Sequence, residues 1–229
     1  MTTNGEIVSR VMNGLKLLNK DDRLSKRYIL YVAEKNAELL ISHKLRDNTL
    51  FRESNVYSSV SCFELEKKDK YKCGVVEFHS CNTVMRSKKK LPDVVFSKYG
   101  AAIKQVSPID FMSDEEFTPS TLSQFKRNRR RQNLQDDTKH YYIKDSYLYI
   151  PESDVRAISL ELIVVNTFKL SDIDSEFEKG CKSAWDYEFK CPDKILDTVI
   201  QKTIQEVALS KQVITDENPN MDENIKSRA

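Results

Sequence analysis

Tyr141-Tyr-Ile-Lys-Asp-Ser-Tyr-Leu-Tyr-Ile-Pro151 reads as two short strands joined by a tight turn. Aromatic and β-branched side chains suit a pleated, half-buried surface, and that is what such a run predicts. Tyr141, Tyr142, Tyr147 and Tyr149 are four of the ten tyrosines of the chain. Alternation puts Tyr147 and Tyr149 on one face of the second strand, opposite Leu148 and Ile150. Two readings of these rings stay open. Tyrosine is enriched at protein–protein interfaces because it buries a large ring while its hydroxyl finds a partner. It is equally at home inside a sheet. Base stacking, as on an RNA-binding sheet, is the weaker reading, since the glycine-rich stacking motif is missing.

Working outward, the hairpin leads into Ala157–Val165. There Ile158, Leu160, Leu162 and Val164 share one face, and Ile163 and Val165 enrich the other. This predicts a central strand covered on both sides. Upstream, Val56–Leu65, Cys73–Cys81 and Pro92–Val106 are strand candidates separated by charged turns. Pro92, Pro108 and Pro119 limit pairing there to edges or strand ends. Residues 109–137 are polar and irregular, and so long a connection is functional or disordered.

Helices flank the strands. Thr3-Asn-Gly-Glu6 is a capping-box pattern, in which the threonine accepts from the Glu6 amide and Glu6 returns the bond. Ile7, Val8, Val11, Met12, Leu15 and Leu18 follow at helical spacing, with Gly14 a weak point. A second helix is expected over Ser25–Leu45, with Tyr28, Ile29, Val32, Ala33, Ala37, Leu40, Ile41 and Leu45 as its apolar stripe. The pair forms a hairpin too small to stand alone, so it must pack on the body of the chain or on a neighbour. Ser175–Phe189 is expected to form a short helix around Trp185. Pro192 then opens a long helix ending near Lys211.

The predicted fold class is α+β: an N-terminal helical hairpin and a C-terminal helix packed on a small, mostly antiparallel β region. One domain spans 1–213, divided into a hairpin (1–47), a strand-rich region (54–170) with a basic loop (109–137), and C-terminal helices (175–213). A polar tail covers 214–229.

The hydrophobic fraction of 39% and the charged fraction of 31% allow only a modest core. Net charge of +2 gives no global polyanion signal. Five scattered cysteines argue against a disulfide framework and for a reducing compartment. No signal-peptide core and no membrane-length apolar run is present, which predicts assembly in a cytoplasm without a membrane partner.

Catalytic equipment is not evident. Cys73, His79 and Cys81 give C-x5-H-x-C with no obvious fourth donor, so half-buried strand residues are the simpler reading than a zinc site. No phosphate-cradling glycine loop and no nucleophile elbow occurs. We expect no enzyme, no cofactor and no metal.

Two basic clusters remain. Arg86-Ser-Lys-Lys-Lys90 reads first as a solvated loop or a patch paired with acidic residues of a neighbour. Lys126, Arg127, Arg129, Arg130 and Arg131 form a second cluster inside the irregular segment. For these, contact with phosphates and contact with carboxylates through the planar arginine fork stand evenly. The alternative function on this reading is a DNA-binding or other nucleic-acid-binding module using 86–90 and 126–131.

Set in order, the chain runs through a helical hairpin, a strand-rich middle and a basic loop to Tyr141–Pro151 and a hydrophobic strand. Trp185-Asp-Tyr-Glu-Phe-Lys-Cys-Pro192, an amphipathic helix and an Asp/Asn-rich tail follow. This order resembles the head-to-tail connector (neck or ring) proteins of tailed phages, particularly crAss-like podoviruses. The resemblance covers most of the chain and is most specific in Tyr141–Pro151 and Trp185–Asp216. It implies a virion structural protein: a subunit of a dodecameric ring stacked below the portal and touching other neck and tail proteins. Genomic DNA would pass through the channel on ejection. A closed ring requires heterologous interfaces. The assembly or DNA-channel candidates are the helical hairpin, Lys126, Arg127, Arg129, Arg130, Arg131, Tyr147 and Tyr149.

Overall fold

The computed structural model describes residues 2–18, 24–46, 56–68, 84–97, 100–109, 116–121, 123–124, 127, 139–151, 153–173 and 182–215. Its fold class is α+β, with three long helices and a mostly antiparallel sheet.

Helix α1 (Asn4–Leu18) starts where the capping box requires. The Thr3 amide donates to Glu6 Oε2 at 3.1 Å, and the Glu6 amide donates to Thr3 Oγ1 at 3.2 Å. Helix α2 (Lys26–Arg46) turns back against it, and α3 (Asp193–Thr215) completes the layer. Val8, Val11 and Leu15 of α1 meet Ile29 and Val32 of α2 and Val207 of α3. At the other end Ala37, Ile41 and Leu45 meet Ile195, Leu196 and Val199. The early part of α2 thus packs on the late part of α3, so these two run antiparallel. Gly14 is a packing position rather than a flaw: a Cβ there would lie 2.4 Å from Cδ1 of Ile204. The helical hairpin therefore finds its partner within the chain, in α3.

Nine strands follow one another along the middle of the described chain: β1 (Ser58–Lys68), β2 (Val84–Ser87), β3 (Phe96–Ser97), β4 (Gly100–Ala101), β5 (Ile103–Pro108), β6 (Thr118–Pro119), β7 (His140–Lys144), β8 (Tyr147–Pro151) and β9 (Ala157–Leu162). Seven of them run in the order β5-β9-β1-β2-β8-β7-β6, while β3 and β4 pair apart. All pairs are antiparallel except β6 with β7. Pro108 and Pro119 sit on the two edge strands, where a missing N–H costs least.

The sheet curls back on itself. Strand β1 pairs with β9 through its first half and with β2 through its second. A bulge between Val60 and Phe63 lets it turn this corner. The bulge also answers a sequence puzzle, because Val60 and Phe63 are three apart yet both point inward. Ser61 and Cys62 are both exposed between them. At the far side the Phe117 amide donates to the Val106 carbonyl at 2.8 Å, linking the β5 edge to the residue before β6. Val60, Phe63, Leu148, Ile150, Ile158, Leu160 and Leu162 fill the interior of this small barrel, each no more than 1% exposed.

The end of β9 joins the two cores. Val164 continues into the barrel interior, while Ile163 and Val165 pack under the helices. Burial on both sides is therefore confined to 163–165. Along β9 itself Ala157, Ser159 and Glu161 are half-exposed, and the strand lies next to the β5 edge rather than at the centre.

Other expectations change as well. Residues 182–192 form turns and bridges, not a helix around Trp185. Strand β2 takes in Arg86 and Ser87 of the cluster 86–90, where a solvated loop was expected. The run Pro92–Val106 breaks into β3, β4 and the start of β5. The candidate strand Cys73–Cys81, with its three soft donors, and the tail beyond residue 215 lie outside the described residues.

Candidate assembly surfaces

The hairpin turns on Asp145 and Ser146, at φ 53° and 63°. Positive φ at both positions of a two-residue loop is the type I′ geometry, whose twist matches the flanking strands. Lys144 then faces Tyr147, and Tyr142 faces Tyr149. The Tyr142 and Tyr149 rings stack 5.0 Å apart at 6°. Tyr149 is only 2% exposed and Tyr142 only 3%. Tyr149 is thus a core residue of the chain, contrary to its expected place at an assembly surface. Tyr141 points into the barrel, where burial pushes its phenol up to about 12. Tyr147 alone of the four stays partly open.

The first basic cluster is consumed around that ring. Arg86 lies 4.5 Å over Tyr147, and Lys90 lies 5.8 Å from it on the same ring. Arg86 also reaches Glu66 at 2.7 Å, and Lys88 reaches Glu64 at 2.7 Å. Hydrogen bonds from Lys68 and Arg86 hold the Glu66 carboxyl below its ordinary range. Lys89 donates to the Asp172 carbonyl. Paired acidic residues were the expected alternative to phosphate contact, and here they come from the same chain.

Trp185-Asp-Tyr-Glu-Phe-Lys190 acts as a clasp. The Asn4 amide donates to the Tyr187 carbonyl, Gly5 to Trp185, Thr167 to Glu188 and Lys190 to Val165. Asn4 Nδ2 donates to Asn166 Oδ1 at 2.9 Å, and Asn166 Nδ2 to Glu34 Oε1 at 2.6 Å. Lys169 closes the chain against Glu34 at 3.0 Å. Burial pulls the Lys169 ammonium down, but Glu34, Glu38 and Asp93 outweigh it and hold its pKa above the ordinary value. Sequence order marked this segment as distinctive but gave no reason. It ties the start of α1 to the residues just after β9, and Asn166 and Lys169 carry the link on to Glu34 of α2.

The arginine segment begins more regularly than its composition suggests. The Thr121 amide donates to Gln124 Oε1 at 2.9 Å, and the Gln124 amide to Thr121 Oγ1 at 3.2 Å. This is a second capping box, and residues 123, 124 and 127 are helical. Arg127 is exposed; Lys126, Arg129, Arg130 and Arg131 lie outside the described residues. The Thr-x-x-Gln spacing was the sequence signal for it.

Among the described residues, exposed large apolar groups lie elsewhere, with Leu209 of α3 at 60% and the others on or beside α2. On α2, Tyr28 is 41% exposed, Tyr31 61% and Leu39 52%; Phe96 on β3 is 66% exposed. Ser42 Oγ donates to the Phe96 carbonyl at 2.7 Å, which sets Phe96 at the end of the same face. The expected stripe of α2 included Tyr28, which instead points outward.

Neither of two surface hollows gathers a histidine or a cysteine. One, about 470 Å³, runs along α1 beside Trp185 and Arg10; the other, about 130 Å³, sits between Tyr57 and Tyr141. Burial pushes the Cys191 thiol up to about 12, which makes it a poor nucleophile. Among the described residues no three His, Cys, Asp or Glu side chains converge on a metal position.

These features define an α+β protein of three helices packed on a curled, mostly antiparallel sheet. A family model described as phage tail ring protein 2 matches residues 6–225, nearly the whole chain. The chain belongs to this family of crAss-like phage tail ring proteins, in agreement with the resemblance read from its sequence. Comparison with curated proteins returned no match.

Proposed function

We propose that copies of this protein close into a dodecameric ring in the head-to-tail connector, joining portal to tail around the DNA channel. The observation that carries this is the family match over residues 6–225. Membership makes the protein a phage tail ring structural protein and points to a non-enzymatic role in the virion. The finer reading adds that the ring lies in the neck, is assembled in the host cytoplasm, and meets the portal and other neck proteins.

Within this reading the Lys126–Arg131 segment faces either a neighbouring subunit or the DNA, with Arg127 exposed to do so. In the cluster 86–90, Arg86, Lys88 and Lys89 already have partners inside the chain, which favours the 126–131 segment over it for phosphate contact. Tyr147, held under Arg86, is a boundary residue rather than an anchor. Electron microscopy of purified protein and of intact particles tests the proposal. Closed rings at the head–tail junction are expected. A strictly monomeric protein that is absent from particles overturns it. Replacing Arg127, Arg129, Arg130 and Arg131 by alanine separates the two faces of the basic segment. Loss of salt-dependent duplex binding with rings intact assigns it to DNA, and loss of rings assigns it to a neighbour.

A further inference from the structure

We propose that the acidic C-terminal segment 216–225 of one copy lies along the outward face of α2 in the next copy. The inference rests on the ring reading above and names the contact that makes it head-to-tail.

The α2 face asks for a partner of particular chemistry. Positions 28, 31, 35 and 39 fall on one side of a helix with 3.6 residues per turn. Tyr28, Tyr31 and Leu39 are the large apolar groups there, and Lys35 is exposed among them. Helices of this size normally turn such a stripe inward, yet α2 already buries a second stripe against α1 and α3. Lys26 and Arg27 stand in its first turn, which holds no acidic residue. The helix dipole disfavours positive charge at that end. Among the described residues none of Lys26, Arg27, Lys35 and Arg46 forms an ion pair. Among the described residues the face is therefore apolar, with Lys35 and Arg46 as cations that form no ion pair there.

The chain carries a matching segment. Asp216-Glu-Asn-Pro-Asn-Met-Asp-Glu-Asn-Ile225 has four carboxylates, no basic residue, and Met221 and Ile225 as apolar groups. Because α3 runs antiparallel to α2, it ends beyond the Tyr28 end of its own copy's α2, where Val207 packs with Ile29 and Val32; the mass of the crosslinked species therefore separates docking on a neighbour from docking within one copy. Ten extended residues reach roughly 33 Å, and Tyr28 to Leu39 spans roughly 17 Å of helix. The tail and the α2 face are two different surfaces of one chain, so joining them between copies gives the heterologous contact that a ring needs. DNA is the less suitable occupant, because Leu39 and Phe96 offer nothing to a phosphate backbone.

The test uses the full chain with Tyr31 replaced by the photocrosslinker p-benzoylphenylalanine, beside mass photometry of unmodified protein. Irradiation is expected to link position 31 to the 216–225 peptide in species of dimer mass and above. A chain ending at Thr215 is expected to lose rings at concentrations about tenfold above those at which the full chain loses them. Reversal of the tail charges (D216K, E217K, D222K and E223K) is expected to weaken rings, and the same chain carrying R27E, K35E and R46E to regain them. A crosslink at monomer mass, a crosslink to any other segment, or undiminished rings after truncation overturns the proposal and leaves the ring reading standing. Displacement of the crosslink by a DNA duplex also overturns it. Absence of rings from the unmodified protein and from particles overturns the ring reading itself.

Discussion

Tyr149 in the hairpin is 2% exposed and Tyr31 on α2 is 61% exposed. From sequence, contact and interior readings of the strand tyrosines stood evenly, Tyr149 was among the assembly candidates, and α2 was expected to bury its aromatic Tyr28. Pairing explains the difference. In the sheet each tyrosine gains a cross-strand neighbour, Tyr142 for Tyr149, and Arg86 of β2 stands opposite as the third member. A helix gives its outward residues no such neighbour. Among the described residues α1, α3 and the residues just after β9 cover α2, and they cover the other side. Density of aromatics therefore reports strand formation here, while isolated aromatics on a helix report open surface.

The largest expected effect separates these two sets directly. Tyr149→Ala removes a buried, stacked ring and is expected to cost about 3–5 kcal/mol in urea unfolding. Tyr31→Ala is expected to change unfolding by less than about 0.5 kcal/mol. Equal losses for the two would erase the contrast. Next in size is the clasp. Glu34→Ala leaves Lys169 and the Asn166 amide without their closest carboxylate and is expected to cost about 2–3 kcal/mol. A wild-type midpoint in that variant would show that the polar network adds nothing to the helix contacts.

Smaller effects test how the hairpin and its rim are held. Ser146 sits at φ 63°, so Ser146→Gly is expected to raise stability by about 0.5–1 kcal/mol, read as a higher urea midpoint. Two carboxylates then give opposite pH signatures. Glu66 titrates below its ordinary 4.5 because of Lys68 and Arg86. Its contribution is present above that value and is lost as pH falls through the lowered one. Glu66→Gln is thus expected to cost about 0.5 kcal/mol at pH 7, with the difference from wild type shrinking as pH falls below 4.5 through the lowered value. Glu38 titrates above 4.5, chiefly through burial. Its contribution is full below 4.5 and is lost as pH rises through the raised value. Glu38→Gln is expected to melt at or above wild type at pH 7, with the gap closing toward pH 4. A reversed order for either variant in thermal melts contradicts the assigned cause.

Much of the fold was legible because its signals are local. The Thr3–Glu6 capping box, the apolar spacing of α1 and α3, the two-residue hairpin turn and the edge prolines each act through near neighbours. The Val60–Phe63 spacing carried the bulge, and Thr121–Gln124 carried a second capping box, though both signals were easy to pass over. What could not be read depends on distant partners. Burial of Tyr149 needs β2, which is itself hidden in a basic run. The clasp at 185–190 works through Thr2, Asn4 and Val165, far away in sequence. Of the site candidates, Arg127 and Tyr147 keep accessible surface, Tyr149 does not, and the open face of α2 emerged only when its two sides were told apart.

Cryo-electron microscopy of the purified protein and of intact particles tests the central claim most directly. Closed rings at the head–tail junction are predicted, with Tyr149 inside each subunit and the Tyr28–Tyr31–Leu39 face of α2 against the next copy. A monomer absent from particles, or a ring joined through the hairpin with α2 left open to solvent, contradicts it.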